Sequence, residues 1–136
     1  MIVTICRKAH FNAAHRLHNS DWSAEKNEQV FGKCNSPNYH GHNFDLEVRV
    51  RGAVNTATGF VMDLAILGKL IKTEIENRFD HKNLNEDCVE FEGVMPSTEN
   101  FVKIIYDILK PKLEVGHQLH ITLHETQKNA AEYGDW

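Results

Sequence analysis

His40-Gly41-His42 sets two imidazoles two residues apart. On a strand, that spacing sends both side chains out of one face, where they can share an ion about 2.0 to 2.1 Å from each ligating nitrogen. His15 lies on a separate stretch of alternating pattern and supplies a third imidazole, the donor set of zinc sites that keep a fourth position open. Nitrogen donors favour zinc over magnesium or calcium. Cys34, six residues before His40, has two roles open to it. As a fourth ligand it would close the shell and make the zinc structural; left free beside the ion, its thiolate would act as a base or nucleophile.

Two carboxylates join the list. Asp80 directly precedes His81, and a carboxylate beside an imidazole can set its tautomer or relay protons to it. From the pair alone, a solvated histidine favoured by the dipole at a helix C-terminus is the plainer reading. Glu125 shares the parity of the apolar positions Leu119, Ile121 and Leu123. An ionised carboxylate on that face needs a cationic or hydrogen-bonding partner, and a bound ligand would supply one. His10, His18, His117, His120 and His124 fall on polar strand positions or loops and are read as solvated. Arg16 and Lys33 flank site residues and can meet an anionic substrate there, although flanking charges are usually solvated.

These side chains need elements to hold them. Val3 to Ala13 alternates with period two, so a strand running on without a bulge puts His15 on the apolar face. Phe44, Leu46, Val48 and Val50 alternate with Asp45, Glu47, Arg49 and Arg51, a second strand that carries His40 and His42 on its apolar side. Between them Ser23 and Gly32 bracket a short helix in an otherwise irregular connection, the kind that more often binds than merely spans. Phe60-Val61-Met62 is expected as a short return strand after a turn. Asp63 caps a helix burying Leu64, Leu67, Ile71, Ile75 and Phe79, and a second helix begins near Pro96-Ser97-Thr98-Glu99 and ends by Pro111. Gln118 to Glu125 is the last expected strand, and the polar tail Thr126 to Trp136 is expected to fray. Strands joined by hairpins, with no repeated strand-helix-strand crossover, predict an α+β domain with an antiparallel sheet and helices on one face.

The bulk properties agree. With 136 residues, 41% hydrophobic and 25% charged, the chain suits one soluble domain spanning 1–136. A net charge of -4 with scattered Lys and Arg argues against nucleic acid as a partner. No apolar run approaches membrane-spanning length and the start lacks a signal peptide's pattern, so a cytoplasmic protein is expected. Three cysteines in a reducing compartment predict no disulfide framework.

Taken together, Phe11-Asn12-Ala13-Ala14-His15-Arg16-Leu17, Cys34 through His40-Gly41-His42-Asn43, Asp80-His81, Pro96-Ser97-Thr98-Glu99-Asn100 and Glu125-Thr126 resemble the 6-pyruvoyltetrahydropterin synthase family, in the same order over nearly the whole chain. The resemblance implies the tunnelling fold, a four-stranded antiparallel sheet with two helices, whose subunits join edge to edge into barrels and stack as a homohexamer. It implies zinc on His15, His40 and His42, with Cys34 as the proton-abstracting thiol and Asp80 with His81 as the accompanying relay. Glu125 would anchor the pterin, with Thr98 and Glu99 also binding substrate. The implied reaction takes 7,8-dihydroneopterin triphosphate to 6-pyruvoyltetrahydropterin with release of triphosphate, consuming no redox cofactor. A sister family, 6-carboxytetrahydropterin synthase of queuosine biosynthesis, acts on the same substrate but releases acetaldehyde. Its usual spacing has three residues between the cysteine and His-Gly-His, whereas this chain has five, Asn35 to Tyr39. A reading of another class is a non-catalytic oligomer with Cys34 as fourth zinc ligand; Glu125 counts against it, since a structural shell gives no reason for that carboxylate.

Overall fold

A computed structural model describes all of residues 1–136. Strands β1 (Ile2–His15) and β2 (His40–Ala53) form a long antiparallel ribbon in unbroken register from Ile2↔Ala53 to His15↔His40. Between them lie α1 (Ala24–Phe31), with Ser23 Oγ capping Lys26 N, and a 3-10 turn, Gly32–Asn35, that carries Cys34. Helix α2 (Leu64–Ile71) runs through a π-helical turn, Lys72–Glu76, into α3 (Asn77–Phe79). Next come β3 (Lys82–Asn83), α4 (Leu84–Asp87), α5 (Thr98–Leu109), β4 (Gln118–His124) and β5 (Ala130–Gly134).

The alternation in β1 and β2 decides which face is covered. Phe11, Phe44, Leu46, Val48 and Val50 are buried, joined by Leu119, Ile121 and Leu123 from β4. Against them pack Leu67, Ile71, Ile75 and Phe79 from the first helical run and Phe101, Val102, Ile105 and Leu109 from α5, all within one cluster of 20 buried apolar residues. Polar side chains at alternate positions stay on the opposite face, as period two requires.

Three expectations need correction. The sheet has five strands in the order β3-β1-β2-β4-β5, not four, and β3 pairs parallel to β1 through Ala13↔Lys82 and Ala14↔Asn83, so the sheet is mixed rather than antiparallel. Phe60-Val61-Met62 forms no strand: this segment lies in turns and bends, and its Val61 and Met62 lean on the core instead of pairing. The tail does not fray. Ala130–Gly134 pairs with β4, and the Asp135 carboxylate accepts hydrogen bonds from Leu119 N, Tyr106 Oη and Lys110 Nζ, which fasten the end of the chain. No helix is long and apolar enough to cross a membrane.

Candidate metal centre and adjoining cavities

The ribbon register that pairs His15 with His40 and Ala13 with His42 gathers three imidazoles at one end of the covered face. Their ring centroids stand 4.6 Å (His15–His40), 5.1 Å (His15–His42) and 4.9 Å (His40–His42) apart, and one nitrogen from each lies within 4.8 Å of the others. Phe44 packs edge-on beneath His15 and His42, so the trio rests on the aromatic core. His15 is 1% exposed.

Hydrogen bonding sets the tautomer of His15. Its Nδ1 is 2.7 Å from the Pro96 carbonyl oxygen, which can only accept, so Nδ1 carries the proton and Nε2 presents a lone pair. Burial is the largest influence on all three rings and holds each below the ordinary imidazole value, so they favour the neutral form. His15 Nε2, His42 Nε2 and both ring nitrogens of His40 are buried with no hydrogen-bond partner. Each such atom costs about 1 to 3 kcal/mol, so four together are a large unmet demand.

Glu125 adds to that demand. Its Oε1 is 3.4 Å from His15 Nε2 and 3.3 Å from His42 Nε2, close enough for charge but not forming a hydrogen bond. A carboxylate facing bare imidazole lone pairs is repulsive, while protonating the rings runs against their burial. A divalent cation among them resolves both conflicts, and three neutral imidazoles with a neighbouring carboxylate are a donor set suited to zinc. The residues fit the metal that their spacing suggested.

Glu125 also links the trio to a cavity of about 470 Å³ lined by Leu17, Thr98, Glu99, Glu125 and Lys128, among others. The three residues expected to bind substrate thus share one cavity. The tight turn after β4, in which Thr126 Oγ1 accepts from Lys128 N and Asn129 N, holds Glu125 in place. Cys34 is half-buried, and its carbonyl accepts from Leu17 N at 2.8 Å, which ties its turn to the segment just past His15. The thiol is not one of the close-set ligands.

Asp80 and His81 sit elsewhere. Asp80 accepts from Asn12 N at 3.0 Å and lies 3.0 Å from His81 Nδ1, while His81 N donates to Asn12 O at 2.7 Å. The Asn12 N–H is the leading reason that the Asp80 carboxyl is held below its ordinary value. His81 is held in a left-handed backbone conformation at φ 59°, with its side chain 78% exposed. It lines a second cavity, of about 560 Å³, with Asn12, Gly41, His42 and Asn43. No hydrogen bond or ion pair within the chain joins this pair to Cys34 or the trio.

Sequence reasoning missed the Pro96 carbonyl, a backbone group distant in the chain with no side-chain signal. It also missed Lys128, a lone cation in a polar turn, and the direct approach of Glu125 to the histidines.

The sequence profile of the family described as 6-pyruvoyl tetrahydropterin synthase matches residues 4–135. The chain is 43% identical over 129 residues to the 6-pyruvoyl tetrahydrobiopterin synthase of Poecilia reticulata, covering 95% of this chain and 88% of that one. It is 42% identical over 129 residues to the enzyme of the same name from Homo sapiens, covering 95% and 89%. The solved structure of Caenorhabditis elegans 6-pyruvoyl tetrahydropterin synthase matches with a TM-score of 0.89 at 36% identity, covering 100% of this chain and 97% of that one. With agreement of this extent in sequence and fold, the chain belongs to the 6-pyruvoyl tetrahydropterin synthase family.

Proposed function

We propose that this protein is a zinc-dependent lyase that converts 7,8-dihydroneopterin triphosphate to 6-pyruvoyltetrahydropterin, releasing triphosphate. The observation that carries the reading is the cluster of three imidazoles with buried, unpaired ring nitrogens, bridged by Glu125 to a cavity shared with Thr98 and Glu99. The names of the similar proteins support the same reaction.

His15, His40 and His42 would hold the ion. Bound there, zinc acidifies the substrate's side-chain hydroxyls and the C–H bonds beside them. Glu125 would anchor the pterin by accepting paired hydrogen bonds from its guanidine-like edge, with Thr98 and Glu99 beside it in the cavity. Cys34, outside the ligand set, would take a proton from side-chain carbon as the C–O bond to triphosphate breaks. The leaving group departs with the bonding pair, and the remaining hydrogens redistribute between carbon and oxygen, so no external oxidant or reductant enters. His81, held by Asp80, would carry protons in that redistribution. Because no hydrogen bond or ion pair joins the pair to Cys34 in one chain, its part in the relay calls for the homohexamer that the resemblance implies, in which another copy would bring it to the site. We place the protein in the cytoplasm, its partner being the pterin triphosphate rather than nucleic acid or membrane.

The five-residue spacer between Cys34 and His40 favours the pyruvoyl product. Mass spectrometry of products from 7,8-dihydroneopterin triphosphate and zinc-loaded protein tests the assignment. A pyruvoyl pterin with triphosphate is expected; a carboxy pterin with acetaldehyde would assign the sister reaction, and unchanged substrate would favour the non-catalytic oligomer.

A further inference from the structure

Tyr39 and His81 are the two non-glycine residues with positive φ, at 67° and 59°. A bulky residue in the left-handed region is strained, and such strain persists where surrounding contacts enforce it. Tyr39 lies between the Cys34 turn and His40, the first residue of β2. Glycine would adopt this backbone freely, so the contact that explains a tyrosine lies in its side chain. The Tyr39 hydroxyl donates to Glu86 in α4, and this bond is the leading reason that its own proton is held more tightly than usual.

The neighbouring residue of α4 grips the other strand. Asn85 Oδ1 accepts from Arg16 N at 2.8 Å, and Asn85 Nδ2 donates to Arg16 O at 3.0 Å. Arg16 directly follows His15, and Tyr39 directly precedes His40. These two histidines are the last register pair of the ribbon, and outside it the two chains are next tied by Leu17 N to Cys34 O at 2.8 Å and by Arg16 Nε to Asn35 O at 2.9 Å. The ends of paired strands open most readily, and a ligand pair there loses its geometry first. Helix α4 therefore holds both chains immediately outside the two facing ligands.

We propose that Tyr39, Glu86 and Asn85 form a strap that positions His15 and His40 and so sets how tightly the site holds its metal. The proposal rests on the metal reading above. None of the three belongs to the imidazole trio, so they are positioning residues.

The test uses the full chain with zinc, titrated against a competing chelator of known affinity. Tyr39→Phe and Glu86→Ala should each weaken zinc binding by about tenfold, the low end for groups that orient ligands. The double variant should be no weaker than either single one, because both break one bond. Glu86→Gln keeps an acceptor and should restore the parent affinity. Tyr39→Gly removes the left-handed strain and the Tyr39–Glu86 bond together, so the melting temperature of its metal-free chain should match or exceed the parent's while zinc affinity falls. A merely structural role would move the two in the same direction, and that result would overturn the proposal. So would parent affinity in both Tyr39→Phe and Glu86→Ala.

A readout free of metal separates this proposal from the metal reading. In the metal-free chain, the ring carbon–proton resonances of His15 and His40 should shift or broaden in Tyr39→Phe and stay in place in Lys103→Ala, which removes the Lys103–Asp107 pair on α5 and the approach of Lys103 to the Tyr133 ring. If the parent takes up no zinc, the metal reading fails and these resonances alone decide the strap. Unchanged rings in Tyr39→Phe would then remove it.

Discussion

The two histidine groups near the end of the β1–β2 ribbon differ in almost every physical respect. His15 and His42 pack edge-on over Phe44 with His40 against both, and all three rings are pushed toward the neutral form by burial and left with unpaired ring nitrogens. His81 is exposed, and its ring partner Asp80 is itself fixed by Asn12. Burial with unmet hydrogen-bonding capacity marks a place for a ligand. Exposure with a carboxylate in attendance leaves a group open to solvent and to anything bound in the adjoining cavity. The same residue type therefore points to different work, and the surroundings decide which.

The largest effect that sharpens this contrast is His42→Ala. Two imidazoles make a weak site, so zinc affinity should fall by more than about a hundredfold, beyond what a ligand's supporting group costs, and activity should go with it. Elemental analysis after dialysis reads the result, and full occupancy would remove His42 from the ligand set. On the other side of the comparison, Cys34→Ala and His81→Ala should each keep one zinc per chain while turnover drops by about two to four powers of ten, the range for a lost acid or base. Loss of metal in Cys34→Ala would move that thiol into the shell and favour the non-catalytic reading.

Glu125 stands between metal and substrate, so its substitution separates the two. Glu125→Gln keeps the size but exchanges one acceptor for a donor. A charge-assisted pair contributes about 1.5 to 3 kcal/mol, so binding of a pterin analogue should weaken by about one to two powers of ten. Zinc affinity should change far less. Calorimetry with the analogue on the zinc-loaded variant measures the first effect, and an equal fall in both would make Glu125 chiefly a metal ligand.

The smallest expected effect is on stability against pH in the metal-free chain. The buried His15 and the half-buried His40 and His42 have folded values below the ordinary 6.5, so the unfolded chain binds their protons first as pH falls. Stability should therefore decline as pH drops below 6.5 and level off once the folded rings are also protonated. Asp80, lowered from 3.8, contributes stability that persists above that value and is lost only as pH falls through its own folded value. In thermal melts, the parent should lose stability below pH 6.5 that His42→Ala keeps, whereas Asp80→Asn should converge with the parent only as pH falls below 3.8. Parallel curves for His42→Ala would mean that its ring titrates alike in both states.

Much of the inner group was legible because strand parity is a strong rule. The alternation through Phe11 and Phe44 is enough to place His15, His40 and His42 on the covered face. The same parity put Glu125 on that face, yet its approach to the histidines depends on the register of β4 against β2, which no local pattern encodes. Strand β3 has two residues, too few to show a period, and it pairs parallel to a strand far away in the chain. Strand β5, Ala130-Ala131-Glu132-Tyr133-Gly134, lacks an apolar alternation; pairing with β4 and the bonds around Asp135 hold it. The His15–Pro96 bond spans 81 residues and uses a carbonyl that every residue type possesses. What composition and period express was readable, and what arises when distant backbones meet was not.

X-ray absorption at the zinc edge tests the central claim most directly, because it counts the ion's neighbours by type. Three histidine nitrogens at about 2.0 to 2.1 Å, with any remaining position filled by oxygen and no sulfur, is the predicted shell. A sulfur neighbour at about 2.3 Å would make Cys34 a ligand and contradict the account.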